Sequence, residues 1–203
     1  MKLTFLLASV FSLFLATMPA QKSMGTGEIG QDHFEADFSP GGQLKMHIRS
    51  GEVRVIGSSE SKITVHFTGD AADQYKDVRV SLRTSGDAGE LEVRGGPRNG
   101  FGIEIQVPKE CSLTLRVPFG EVRVAGIVGD KDVEVHAGDV TIETGKAADY
   151  AHVDASVSSG DLEAEPFGVS KGGLFRSFEK RGPGKYNLHA HVGAGQLTFK
   201  EGS

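Results

Sequence analysis

Two histidines near the end of the chain have the spacing of metal ligands on a β-strand. His189 and His191 stand at positions i and i+2, and such positions point to the same face of a strand. Alignment of the internal repeats described below places Asp154 beside His189 and Ser156 beside His191. Two imidazoles and a carboxylate could hold zinc. These positions are nevertheless polar and expected to face solvent, where histidine is an ordinary surface residue, so the sequence predicts no metal site.

Acidic residues also recur directly after a series of glycines, and Gln196 occupies the same position. If the acids Glu121, Asp139 and Asp161 stacked on neighbouring repeat units, their carboxylates would lie ~5 Å apart. They would then repel one another unless a cation screened them. Calcium favours several oxygen ligands of this kind. The simpler interpretation is that Asp and Glu favour a solvated corner, and we predict no cofactor. The acids at this position are Glu52, Glu121, Asp139 and Asp161.

Further aspartates define an enzymatic alternative. Polysaccharide-cleaving enzymes built on parallel β-helices use clustered acids, or acids with a Lys or Arg, in a groove. No aspartate is special here, because each has a repeat equivalent or lies in a loop, and the chain has no tryptophan for stacking on a sugar. We therefore predict a non-enzymatic protein, with a polysaccharide lyase or hydrolase as the alternative. The residues available to such an enzyme are Asp130, Asp132, Asp139, Asp154 and Asp161, with Lys131 and Arg123 nearby.

All these residues belong to a segment that recurs along the chain. Residues 44–57 and 113–126 both fit apolar-x-apolar-x-apolar-x-x-Gly-Glu-Val-Arg-Val-x-Gly. Further copies run over 153–168 and 188–202, and a weaker copy over 131–145 has Lys131 in place of the first apolar residue. Apolar residues alternate with polar ones almost throughout, which indicates strands with one buried face. A recurring two-strand unit predicts a repetitive all-β architecture.

The repeat is compatible with two geometries. The odd separation between Ile48 and Val53 would turn them to opposite faces of a flat strand, so a bend at Ser50-Gly51 must restore them to one side. We favour a single-domain parallel β-solenoid, a right-handed β-helix-like stack with glycines 51, 120, 138, 160 and 195 at bends between strands. It predicts parallel pairing among residues 122–124, 140–142 and 162–164. The alternative is an antiparallel hairpin-repeat sandwich in which Ile48 pairs with Val53, although these turns lack the Asn-Gly that two-residue hairpins prefer.

Outside the repeat, the chain begins with features of a secretory signal. Lys2 precedes an apolar run over residues 3–16, and Met18-Pro19-Ala20 is a plausible cleavage point. We predict a signal peptide at 1–20, a flexible tether at 21–33 and one β-repeat domain at 34–203, with a periplasmic, cell-surface or secreted location. The run is short for a membrane span, and we expect none after cleavage.

The net charge and the cysteine content limit the classes of partner that the chain can bind and the disulfides that it can form. The chain carries a formal charge of −5, and because residues 1–20 contain one base and no acid, cleavage makes it −6. This argues against binding of nucleic acid. Cys111 is the single cysteine, so no intrachain disulfide forms, and we expect its thiol to be buried. Self-association through the open ends of a solenoid is a further expectation.

One segment outside the repeat concentrates positive charge. Residues 170–186 hold five bases and one acid, Glu179, interleaved with apolar and aromatic residues. In an acidic protein this composition suggests a contact loop for an envelope glycan or protein; a solvated connection that covers the end of the core is the simpler explanation. The predicted contact residues are Lys171, Phe175, Arg176, Phe178, Lys180, Arg181, Lys185 and Tyr186.

Several of these segments together resemble a known family. The phrases at 50–55, 137–142 and 159–164, and the closing stretch from Lys171 to Gly195, are similar to the "SGDV" repeats and the C-terminal signature of the bacterial putative-adhesin domain family. That family comprises exported proteins of unknown function. The resemblance implies a right-handed β-helix-like fold, export and an adhesin-like binding or structural role in the cell envelope, and it supplies no catalytic residues.

Overall fold

The computed structural model of the protein describes residues 24–26, 33–68, 72–97 and 100–202. The predicted signal peptide, residues 1–20, lies outside them. The described chain contains strands and three short 3₁₀ helices, at Ala72–Asp77, Ala147–Asp149 and Glu165–Phe167, and no α-helix. The strands are β1 (Met24–Thr26), β2 (His33–Asp37), β3 (Gln43–Ile48), β4 (Gly51–Ser58), β5 (Lys62–Phe67), β6 (Arg79–Ser85), β7 (Ala88–Arg94), β8 (Gly102–Pro108), β9 (Ser112–Ala125), β10 (Lys131–Ala137), β11 (Val140–Thr144), β12 (Tyr150–Ala164), β13 (Val169–Arg181) and β14 (Tyr186–Glu201).

The prediction of an all-β protein is therefore confirmed. Within the residues that the structure describes, no helix has the length and apolar character needed to cross a membrane. Residues 24–26, within the predicted tether, form β1 and pair antiparallel with β6. The tether otherwise lies outside the described ranges up to His33, where β2 begins.

The strands form two ladders that share their longest members. The first ladder runs β1-β6-β7-β3-β9-β10-β14-β12-β13. The second runs β2-β5-β8-β4-β9-β11-β14-β12-β13. Strands β9 and β14 each contact β10 with their first half and β11 with their second half. Apolar residues from both ladders form one continuous core.

The register of the first ladder brings equivalent repeat positions together. Leu44 pairs with Leu113, which pairs with Lys131, and Leu188 lies between Lys131 and Val153. All these pairings are parallel. They place the same repeat position of different units side by side, with the apolar members buried beneath the sheet.

The order of the units differs from a solenoid in which each coil stacks on the one before. Val122 pairs with Val140 in parallel, as predicted. Leu162 pairs with Leu197 instead of Val140, because β14 lies between β11 and β12. The hairpin alternative also fails at its test position: Ile48 pairs with Val93, and β3 and β4 do not pair with each other in the described chain.

Three of the five repeat glycines bend the chain inside a strand, and two stand where one strand gives way to the next. Gly51 begins β4 and Gly138 separates β10 from β11, whereas Gly120, Gly160 and Gly195 lie inside β9, β12 and β14. The expectation that all five lie between strands is wrong for these three. Their φ angles are 137°, 134° and 133°, in a region that favours glycine. At each of these glycines the alternation of buried and exposed residues shifts by one position. The hydrogen-bonded pairing with the neighbouring strands continues across the glycine.

Candidate functional site

A groove of about 870 Å³ lies near the N-terminal ends of the parallel first-ladder strands and the C-terminal end of β6. Residues of β3, β6, β7, β9, β10, β12 and β14 line it. Side chains at one repeat position form a polar row through it, because the register pairs them in sequence across the sheet. The row contains Lys45, Thr114, Asp132, His189 and Asp154.

The histidine pair has the neighbours that the repeat alignment predicted. His189 Nδ1 lies 3.2 Å from Asp154 Oδ2, and His191 Nδ1 lies 2.8 Å from Ser156 Oγ. The imidazole and carboxylate of the first pair are each a little under half exposed. Side chains of β12 thus contact the two imidazole rings of β14 from one side.

On the other side of β14, β10 supplies two carboxylates. Asp132 pairs with His189 and Glu134 with His191 in the ladder. The Arg116 guanidinium of β9 lies 2.7 Å from Asp132 Oδ2 and 3.2 Å from Glu134 Oε1. Asp132 Oδ1 is shielded from solvent and has no hydrogen-bond partner. The contact of Asp132 with His189 is not among the predicted ones, although the two residues occupy the same position of the repeat.

Beneath this row lies a buried lysine. Lys131 is 2% exposed and takes the place of an apolar residue. Its Nζ donates to the Gly129 carbonyl oxygen at 3.2 Å and to Tyr150 Oη at 3.1 Å. Burial lowers the pKa of Lys131 to about 8. The nearby Cys111 is buried, as predicted, and burial raises its pKa to about 11, which disfavours a nucleophilic thiolate.

The aspartates of the enzymatic alternative divide into two groups. Asp130, Asp132 and Asp154 line the groove together with Lys131. Each of the three has a structural partner, since Asp130 Oδ1 accepts a hydrogen bond of 2.7 Å from the backbone N–H of Asn187, and Arg116 and His189 contact the other two.

The other two aspartates lie outside the groove, among the acids that follow the bend glycines. Glu121 and Asp139 lie on adjacent units, because the Val122 N–H donates to the Asp139 carbonyl oxygen. Gln196 stands between Asp139 and Asp161: its N–H donates to Asp139 Oδ1, and Asp161 pairs with it across the ladder. The stack of three carboxylates considered for calcium is therefore interrupted by an amide.

The predicted contact loop is mainly a strand. β13 pairs antiparallel with β12 along its length and with no other strand among those the structure describes. It is an edge of the sheet, and most of its side chains are exposed, with Leu174 at 63% and Phe175 at 83%. Phe178 differs from the prediction: it is buried and packs against Phe167 and Phe199, so it belongs to the core and cannot be a contact residue.

The bases of this segment are mostly without acidic partners. Lys171 Nζ donates to the Ser177 carbonyl oxygen, and Arg176 Nε to that of Gly172, each at 2.7 Å. Lys180 and Lys185 lie over the Phe167 and Tyr186 rings. Within the described part of the segment, Arg181 is the one base with an ion pair, to Glu179 at 3.4 Å. The edge therefore presents uncompensated positive charge.

The conformation of Phe175 also distinguishes the edge. Its φ is 53°, the single positive value at a non-glycine residue in the described chain. A bulky residue rarely adopts this region, because its Cβ crowds the backbone. The ring is held outward, into solvent, beside the exposed Leu174.

Comparison with known proteins gives one similar solved structure. It is that of a putative cell adhesion protein from Clostridium sporogenes, 16% identical, with a TM-score of 0.47; the alignment covers 83% of this chain and 98% of that one. No family model matches the chain, and no curated protein matches it.

Proposed function

We propose that the protein is an exported, non-enzymatic, adhesin-like module that binds an anionic component of the cell envelope along the β13 edge. The observation that carries this proposal is the uncompensated basic charge of the edge, combined with the exposed side chains of Leu174 and Phe175. The secretory features of the sequence and its resemblance to exported adhesin-like proteins support the location.

The chemistry of the edge favours an anionic partner over a second copy of the chain. Lys171, Arg176, Lys180 and Arg181 all lie on β13. Pairing two such strands would bring like charges together, which is unfavourable. An acidic glycan would instead gain contacts with the bases, and Phe175 offers an aromatic face for apolar contact.

Replacement of three edge charges tests this proposal. We expect the triple variant Arg176→Gln, Lys180→Gln, Arg181→Gln to lose most retention on whole cells and on isolated envelope polysaccharide. Wild-type retention should also fall as salt rises, because the Debye length shrinks from ~10 Å at 0.1 M to ~3 Å at 1 M. The matched control is Arg54→Gln, Arg83→Gln, Arg94→Gln, which removes three exposed arginines that already face glutamates.

Retention that survives both high salt and the edge triple variant would contradict this assignment. The remaining candidate would then be the outer face of the second ladder, around Arg123, Thr141 and Glu163. Equal loss in the edge and control variants would show that net charge alone, and not the edge, governs retention.

The groove gives the enzymatic alternative one specific observation in its favour. It gathers Asp130, Asp132 and Asp154 close to Lys131, the acid-with-base grouping that polysaccharide-cleaving enzymes use. We expect no release of reducing sugar from envelope polysaccharides by the wild-type protein. Release that disappears in Asp154→Asn would establish the enzyme instead.

A further inference from the structure

We propose that the outer face of the first ladder holds a divalent transition-metal cation, bound by Asp132, Glu134 and His189. One ligand atom from each of these residues lies within 4.8 Å of the others. All three side chains are partly exposed on the sheet surface, and Asp132 and His189 also line the groove. The inference does not depend on the β13 edge and extends beyond the proposed binding role.

The environment of His189 prepares its ring for a metal. The Asp154 carboxylate, whose Oδ2 lies 3.2 Å from Nδ1, favours the tautomer with the proton on Nδ1, and that tautomer leaves the lone pair of Nε2 for an ion. A carboxylate behind a ligating histidine fixes its tautomer and raises its basicity, and this arrangement recurs at protein metal sites. Asp154 would therefore act as a positioning residue for His189.

Arg116 prepares the two carboxylates in a similar way. Its guanidinium contacts Asp132 Oδ2 and Glu134 Oε1 and also donates to the Asp132 carbonyl oxygen at 3.1 Å. Asp132 Oδ1 is left shielded from solvent with no hydrogen-bond partner. An unpaired, desolvated carboxylate oxygen is unfavourable, and a cation bound through Oδ1 would give it a partner. The positive charge of Arg116 opposes the cation, so we expect weaker binding than at a closed structural zinc site.

The donor set indicates which ion fits. Two carboxylate oxygens and one imidazole suit Zn²⁺ and related transition metals better than Ca²⁺, which prefers oxygen ligands alone. Zinc–ligand distances of about 2.0–2.2 Å separate tetrahedral ligands by roughly 3.5 Å. The three side chains must therefore close by about an ångström, which rotation of partly exposed groups allows. Three protein ligands leave a coordination position open for water or for an oxygen of a ligand.

Zinc titration of the mature chain, prepared without a histidine tag, tests the site. Calorimetry should show one saturable zinc site, and Co²⁺ should give the visible absorption of a bound ion. We expect Asp154→Asn to weaken zinc binding 10–100-fold, and His189→Gln and Asp132→Asn to weaken it further. The controls are His66→Gln, which removes an exposed histidine on β5, and Glu143→Gln, which removes the carboxylate paired with Arg123 on the second ladder; both should bind zinc as the wild type does.

Either of two results would overturn the proposal. One is the absence of saturable zinc binding up to millimolar concentrations. The other is binding that His189→Gln and Asp132→Asn leave unchanged, or that His66→Gln weakens as much as they do. Because the substituted side chains lie on the sheet surface, circular dichroism of each variant should match the wild type.

Discussion

At the scale of single residues, Lys131 is the most unusual choice in the core. An apolar side chain occupies the equivalent position of the neighbouring units, as Leu113 and Leu188 do. Its amine donates to a carbonyl oxygen and to Tyr150 Oη without an ion pair to a carboxylate among the described residues. Burying a charge in this way costs free energy, which is why its pKa falls to about 8. The protein should therefore show a characteristic dependence of stability on pH.

We expect the free energy of unfolding to rise between about pH 8 and 9. Lys131 titrates near 8 when folded and near 10.5 when unfolded, so the unfolded chain binds more protons in this range and stability increases with pH. The rise is limited to about 1.4 kcal/mol per pH unit. Above pH 9 the rise should fade, because the pKa of Cys111 is raised from 9.0 to about 11 and its ionisation favours the unfolded chain.

Urea unfolding of wild type and Lys131→Met across pH 7.5–9 checks this prediction. The stability difference between them should change by about 1 kcal/mol over this range, in the direction that improves the wild type. Because Met cannot donate to Gly129 or Tyr150, the absolute stability of the variant is less informative than the difference between the two pH profiles, from which the contribution of Cys111 cancels. Identical profiles for the two proteins would contradict the assignment.

At the scale of elements, the bend glycines explain how long strands turn without losing their partners. They stack in a column in the order Gly51, Gly120, Gly138, Gly195, Gly160. A Cβ on Gly138 would overlap the carbonyl oxygen of Gly120, and one on Gly160 would overlap that of Gly195. Glycine is thus required for close backbone approach as well as for positive φ.

Substitution of two glycines by alanine separates these requirements. Gly138 and Gly168 both have positive φ, but a Cβ on Gly168 meets nothing within 4 Å. Gly168→Ala should cost only the conformational strain, of order 1–3 kcal/mol. Gly138→Ala adds the clash with its neighbour and should lose clearly more. Thermal and urea melts measure both, and equal losses would show that the column tolerates a side chain.

The element scale also shows what the sequence could predict. The alternation of apolar and polar residues predicted strands with one buried face, and the apolar residues Ile63, Val65, Ile103 and Ile105 are buried accordingly. The glycine positions correctly indicated where the alternation of buried and exposed residues shifts by one position. The sequence could not show that β9, β12 and β14 continue through their glycines, because that depends on hydrogen bonds to neighbouring strands.

At the scale of the molecule, the repeat predicts which residues of two units pair with each other, but it does not predict which units are neighbours in the sheet. Residues 140–142 could pair with residues 162–164 or with 197–199, since both offer alternating apolar positions after a glycine. The structure uses the second pairing. For this reason the sequence predicted the contact of His189 with Asp154 but not its contact with Asp132. The first contact requires only that β14 and β12 are neighbours. The second requires that β14 lies between β10 and β12.

The central position of β14 leads to a prediction about folding. In a stack built in chain order, the last strand would lie at an end and its removal would be tolerated. Here β14 pairs with β12 on one side and with β10 and β11 on the other. A chain ending at Lys185 would leave β12 and β13 separated from the other units, with a long exposed edge on each part.

We therefore expect the chain truncated after Lys185 to lose cooperative thermal unfolding and to aggregate. Removal of residues 1–32 is the control, because within this region the structure describes only β1, which pairs with β6 over three residues at the edge of the sheet. That variant should unfold cooperatively with a modest shift in midpoint. The full chain should also refold slowly, since β14 joins β10 across a large sequence separation and such pairings slow folding. A chain lacking β14 that still melts cooperatively would show that the units before it form an independent core.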